Sequence, residues 1–198
     1  LSEARKAWLK DQVSTEAKTL LEKDARYFMH QALSTPCLDV LVNAQGALIT
    51  NTSGKNYFDF HGNNVHQLGF SHPKLVAALK KQLDALTFST RRYTNETAIN
   101  FAEKLTSLTP GLDKILMTPN GSSAVGIALK LARAVTGKYK VLSFWDSFHG
   151  ASLDVVSVSG ESVFREQMGP MMPGVERIPP PITYRGIYEN NEEKALEY

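Results

Sequence analysis

Residues 114–144 constrain the fold more than any other stretch of this sequence. Lys114 to Met117 is a short apolar run, and Thr118-Pro119-Asn120-Gly121-Ser122-Ser123 is a cluster of turn formers. Ala124, Ala128, Leu131, Ala132 and Val135 then share one face of a 3.6-residue period that Thr136-Gly137 closes. Tyr139 to Phe144 is apolar again. Strand, helix and strand with short links predict a βαβ unit, which requires a right-handed crossover and a parallel sheet. A chain carrying such a unit belongs to the α/β class.

Elsewhere the pattern alternates between helix and hairpin. Leu20, Leu21, Ala25, Phe28, Met29 and Ala32 fall near a helical period, and Ser34-Thr35-Pro36 stops it. Leu38 to Val42, Ala47 to Thr50 and Asn56 to Phe60 read as three short strands. Asn43-Ala44-Gln45-Gly46 and Asn51-Thr52-Ser53-Gly54 separate them, so an antiparallel meander is expected. Leu75, Leu79, Leu83 and Leu86 mark one amphipathic helix; Ala98, Ala102, Leu105 and Leu108 mark another, ended by Pro110-Gly111. Past Gly160, proline and glycine are frequent, and Pro179-Pro180-Pro181 predicts an extended surface linker.

Composition excludes several classes. With 22 Lys+Arg against 20 Asp+Glu, the net charge of +2 is too small and too dispersed for a nucleic-acid or membrane-surface binder. No apolar run approaches the ~20 residues of a membrane span. The single cysteine, Cys37, allows no internal disulfide and predicts a reducing compartment, hence a cytoplasmic location. The five histidines form no H-E-x-x-H and no Cys/His cluster, so no metal site is expected. The opening at Leu1 without a methionine and a closing helical run (Asn191 to Tyr198) without a cap suggest a fragment of a longer chain.

Gly121-Ser122-Ser123 stands between a strand and a helix N-terminus. Glycine lets the backbone approach an anion closely, free N–H groups point outward, the helix dipole favours negative charge, and serine hydroxyls add donors. The same serines suit simple helix capping, and spacing alone does not separate the two uses. Two familiar phosphate loops are absent: Ile127-Ala128 follow Gly126 where a P-loop needs Lys and Ser/Thr, and there is no G-x-G-x-x-G. Phe148-His149-Gly150 follows the next strand, at the same carboxyl edge, where open α/β sheets bind ligands. An aromatic ring there could stack on a planar heterocycle whose phosphate sits on the helix.

The order of these motifs resembles the class III aminotransferase family of pyridoxal-phosphate enzymes. The resemblance is carried by the Thr118–Gly121–Ser122 loop, the helix reading Ala128-Leu129-Lys130-Leu131-Ala132-Arg133, Thr136-Gly137 and Phe148-His149-Gly150. Tyr57-Phe58-Asp59-Phe60 and Gly69-Phe70-Ser71-His72-Pro73 extend it upstream, so that it covers roughly residues 38 to 185. Two positions depart from the family pattern: Ser123 replaces an acidic residue, and Ser71 replaces the first histidine of Gly-His-x-His-Pro.

The resemblance implies an α/β fold type I architecture, truncated, with a mostly parallel sheet and an N-terminal helical and antiparallel part. Residues 1–72 would belong to the small domain and 73–198 to the first half of the large, cofactor-binding domain. Gly121 and Ser122 would hold the phosphate of pyridoxal 5'-phosphate, and Phe148 would stack on its ring. The Schiff-base lysine and the acid that protonates the pyridine nitrogen would lie beyond Tyr198, so no catalytic residue is assigned within the chain. Family members are homodimers acting on small amines.

Arg91 and Arg92 would bind an anionic substrate group or the partner subunit's cofactor phosphate, since guanidinium suits bidentate oxyanion contacts. The polar run Asp59 to Gln67 is similar to a phosphonate-processing branch, the hydroxy-aminoethylphosphonate ammonia-lyases, and there Asn63 with Asn64 would donate to the phosphonate. Three functions therefore stand: transamination through a Schiff base, elimination of ammonia from a hydroxylated aminoethylphosphonate, or a catalytically incomplete fragment retaining only the phosphate site.

Overall fold

The computed structural model describes residues 2–30, 37–62 and 65–197. These form two compact units, Leu1–Asn95 and Glu96–Tyr198. In the first, α1 (Glu3–Asp11) and α2 (Thr15–Tyr27) replace the single N-terminal helix that the sequence pattern suggests. Ser2 and Ser14 explain the division, because each caps a helix by accepting from the backbone N–H three residues on. The expected stop at Ser34-Thr35-Pro36 lies outside the described residues.

The antiparallel meander forms, with β1 (Leu41–Gln45), β2 (Leu48–Asn51) and β3 (Asn56–Phe58) in the order β1-β2-β3, but its first strand lies three residues later than expected: Asn43, Ala44 and Gln45, read as a turn, pair with Thr50, Ile49 and Leu48. Asn51 organises its second turn. Its Oδ1 accepts from the Ser53 and Lys55 N–H groups and the Ser53 hydroxyl, and its Nδ2 donates to Asp39. Asn51 is therefore buried with its polar atoms satisfied. Gly46 and Phe70 form an isolated bridge that folds residues 66–70 back onto the β1–β2 turn. Gly69 is required there: its φ is +84° and a Cβ would come within 3.1 Å of the Gly46 backbone. α3 (Pro73–Ala85) starts with proline in its first turn, and its leucine face of Leu75, Leu79 and Leu83 is exposed.

The second unit opens with α4 (Glu96–Ser107) and α5 (Gly121–Thr136). Residues 114–117 are not a strand, contrary to the expected βαβ unit. A strand exists only through ladder partners, and no described strand lies beside this run. The parallel pair is instead β4 (Val141–Phe144) with β5 (Val175–Ile178), in register from Val141–Val175 to Phe144–Ile178. Between them lies α6 (Leu153–Val158), four of whose residues are buried and which packs on α5. α7 (Glu192–Glu197) follows. Among the described residues no helix is long and apolar enough to cross a membrane.

Asn120 caps α5 through its side chain, accepting from Ser123 N–H at 2.9 Å, and Gly137 closes the helix in the left-handed region at φ 68°. Asn120→Ala should cost about 1 kcal/mol of stability, a typical N-cap value. Chemical denaturation of the two proteins, with an unchanged slope and a lowered midpoint, is the expected result.

Candidate functional site

In the second unit the structure brings the Gly121-Ser122 loop against the Phe148-His149-Gly150 turn. Gly150 is buried at φ +133°, and a Cβ on it would overlap Ser122 Oγ and lie 2.9 Å from Ser122 Cβ. Only glycine permits this approach. The N–H groups of Gly121 and Ser122 have no acceptor among the described residues, whereas Ser123 and Ala124 donate to Asn120. Two outward donors thus remain at the positive end of a 16-residue helix. Thr118 Oγ1 donates to Asn120 O at 3.0 Å and holds the loop from its other side.

Phe148 presents a ring that is 54% exposed, supported by Phe164 at 4.8 Å between centroids. The turn carrying it is pinned by serines. Ser159, fully buried, accepts from His149 N–H at 2.9 Å and donates to Val155 O at 3.0 Å. Ser147 accepts from Gly160 N–H and donates to Phe144 O. Ser143 donates to Val158 O at 2.6 Å. These bonds fasten the platform to the last turn of α6. Nothing in the sequence marks them, because serines in the run Val155 to Ser159 have no spacing that distinguishes them from surface residues.

Gly126, buried within α5, faces Asp154 of α6; an added Cβ would sit 2.5 Å from Asp154 Oδ2. The hydroxyl of Ser152, more than any other group, holds the Asp154 carboxyl below its usual value, so it stays ionised there.

The remaining predicted residues belong to the first unit. Arg91 and Arg92 occupy an exposed turn that Tyr93 N–H closes on Thr90 O, and neither has an ion-pair partner among the described residues. Asn63 and Asn64 lie outside the described residues. The same polar run borders a pocket of about 360 Å³ whose lining includes Asp59, Phe60, His61, His66, Gln67 and Phe70. His66 stacks on Phe70 at 4.1 Å. Asp59 Oδ1 accepts from the N–H groups of Gly62 and His61, and these bonds hold its carboxyl below the ordinary value of 3.8. A folded-state value depressed in this way stabilises the turn at neutral pH, and that contribution disappears as pH falls through the folded value. Asp59→Asn should therefore differ from the parent protein in stability at pH 7 and converge with it on acidification below 3.8; acid titrations followed by circular dichroism would measure this. Among the described residues no group of His, Cys, Asp and Glu is arranged to hold a metal ion.

The model of the family described as aminotransferase class-III matches residues 29–198. The chain belongs to the class III aminotransferase family. Over 194 residues, 98% of the chain, it is 52% identical to (R)-1-hydroxy-2-aminoethylphosphonate ammonia-lyase of Vibrio splendidus, covering 40% of that protein. It is 34% identical over 158 residues to acetylornithine aminotransferase of Methanosarcina acetivorans, covering 79% of the chain and 38% of the relative. Among solved structures, the (S)-enantioselective omega-transaminase from Thermomicrobium roseum superposes with a TM-score of 0.81 at 26% identity, over 91% of this chain and 44% of that one. The α/β transaminase fold follows from these matches. The chain spans less than half the length of each of these three relatives.

Proposed function

We propose that this chain is the cofactor-cradling part of a pyridoxal-phosphate enzyme acting on a small amine, and that its reaction is removal of ammonia from a hydroxylated aminoethylphosphonate. The observation that carries the choice of reaction is the 52% identity to the ammonia-lyase, against 34% to acetylornithine aminotransferase. The cradle fits the cofactor: two unpartnered N–H groups on α5 and the Ser122 hydroxyl suit a phosphate, and an exposed aromatic ring beside them suits a pyridine. When bound, pyridoxal phosphate supplies an electron sink that acidifies the carbon bearing nitrogen.

This chain's residues bind and orient. Gly121 and Ser122 hold the phosphate, Gly150 allows the loop and platform to meet, and Phe148 fixes the ring plane while Phe164 backs it. The lysine and the pyridine-nitrogen acid are assigned to residues outside this chain. In the net reaction a proton leaves the carbon bearing nitrogen, the neighbouring C–O bond breaks, and hydrolysis of the C–N bond gives an aldehyde and ammonia. No net oxidation occurs, so no amino acceptor is consumed.

Transamination is the second reading, favoured by the acetylornithine aminotransferase relatives. Ammonia release by the full-length protein without any keto acid separates the two: strict acceptor dependence overturns the lyase. Absence of a visible absorption band on adding cofactor to the full-length protein overturns both. The same reading places residues 1–72 in a small domain and 73–198 in a large one, and takes the full-length protein as a cytoplasmic homodimer. It also assigns Arg91 and Arg92 to an oxyanion of the substrate or of the partner's cofactor, and Asn63 to the phosphonate. Unchanged substrate affinity and cofactor occupancy in full-length Arg91→Ala and Arg92→Ala would remove the arginines from the site.

A further inference from the structure

Trp145, the residue after β4, lies under two guanidinium groups: Arg165 Cζ and Arg177 Cζ are each 5.6 Å from its ring centroid. Both arginines spend part of their donor capacity on the chain leaving α6. Arg165 Nη1 donates to Gly160 O at 3.4 Å, and Arg177 donates to Ser159 O at 3.0 Å and also to Ser157 O. Neither has a carboxylate partner among the described residues, and Glu176, beside Arg177 on β5, pairs with Lys140 instead. Arg165 Nε is buried with no acceptor. Burial, and then the charge of Arg165, pull the Arg177 guanidinium below its ordinary value.

Holding two half-buried cations together without a counter-charge is costly unless one arrives. The ring offsets some of that cost, and at 43% exposure its surroundings are open to a ligand. Forked guanidinium donors match tetrahedral oxyanions, and a charge of minus two neutralises the pair. We propose that Arg165 and Arg177 over Trp145 form a binding site for a doubly charged tetrahedral oxyanion, a phosphate or a phosphonate. Arg165 directly follows Phe164, whose ring backs Phe148, and Trp145 precedes Phe148 by three residues in the same turn. On the cofactor reading above, an anion held by Arg165 would bear on Phe164 and so on the ring platform.

The test uses the full-length protein saturated with cofactor, so that the α5 loop is already filled. Titration with inorganic phosphate, and separately with methylphosphonate, should show saturable binding by calorimetry and a change in tryptophan fluorescence that Trp145→Phe removes. Arg165→Gln should weaken binding about tenfold or more, and Arg165→Lys, which keeps charge but loses the fork, by less. If phosphate competes with a phosphonate substrate and R165Q raises KM at unchanged kcat, the substrate's phosphonate is the occupant; binding without competition assigns the site to free phosphate. No saturable binding of either anion, or equal affinity in R165Q, overturns the proposal. The absorption band of the bound cofactor is read in every variant, so loss of the cofactor site is not mistaken for loss of this one.

Discussion

Gly150→Ala in the full-length protein should release the cofactor while leaving most of the secondary structure intact. The new Cβ would overlap Ser122 Oγ and stand 2.8 Å from Val155 Cγ2, so the phosphate loop and the platform must separate to admit it. Overpacking of this kind costs about 1–3 kcal/mol, and a non-glycine residue at the observed φ adds about 1–2. The loss would fall on the geometry that the phosphate and ring are proposed to share, so an affinity for pyridoxal phosphate reduced roughly thirty- to several-thousand-fold is expected. Titration of the apoprotein followed by absorbance measures it. Wild-type affinity in G150A would show that the loop and turn do not bind one ligand together. Ser122→Ala is the companion variant: it removes a hydroxyl donor without crowding and should weaken binding far less.

Gly160→Ala should damage the fold itself. Its Cβ would meet backbone rather than side chain: Phe144 O, Asp146 N at 2.7 Å and Trp145 Cα at 2.7 Å. Backbone cannot rotate away, so β4 and the chain after α6 would have to part. That would break the Gly160-to-Ser147 bonds and leave Ser143 and Ser159 without support. A destabilisation above about 4 kcal/mol is expected, a size reserved for such named lesions. Thermal and denaturant unfolding would record it as a large fall in midpoint or as failure to accumulate folded protein. A midpoint within a degree of wild type would mean that the close passage at Gly160 is not part of the native packing.

Much of the candidate site was legible in the sequence, for identifiable reasons. Gly121-Ser122 and Phe148 stand in local motifs, a helix start and a strand exit, whose chemistry depends on neighbours in sequence. The meander was legible because turn formers separate short apolar runs, although Asn43 to Gln45 joined β1 rather than the turn. What escaped depends on distant pairing. Lys114 to Met117 has a strand's composition but no described ladder partner, while β5 lies in a stretch that proline and glycine made look irregular. α6, Leu-Asp-Val-Val-Ser-Val, is dominated by residues that favour strands, and its burial overrides that preference. The serine bonds beneath Phe148, and the two arginines over Trp145, join residues up to 32 positions apart that no local pattern connects.

The parallel pairing of β4 with β5 sets an order of events. Its two strands are separated by residues 145–174, and that segment contains the ring platform, α6 and Arg165. Closing a loop of this length costs entropy before any ladder bond forms, which makes such pairings slow to nucleate. α5, held by local bonds and its caps, can form early; the platform cannot settle until β5 arrives and Arg177 reaches the carbonyls of Ser157 and Ser159. The proposed ring seat is thus among the last parts of this unit to assemble, and a cofactor bound there, by favouring the assembled form, would act as a late brace on the folding of the sheet edge.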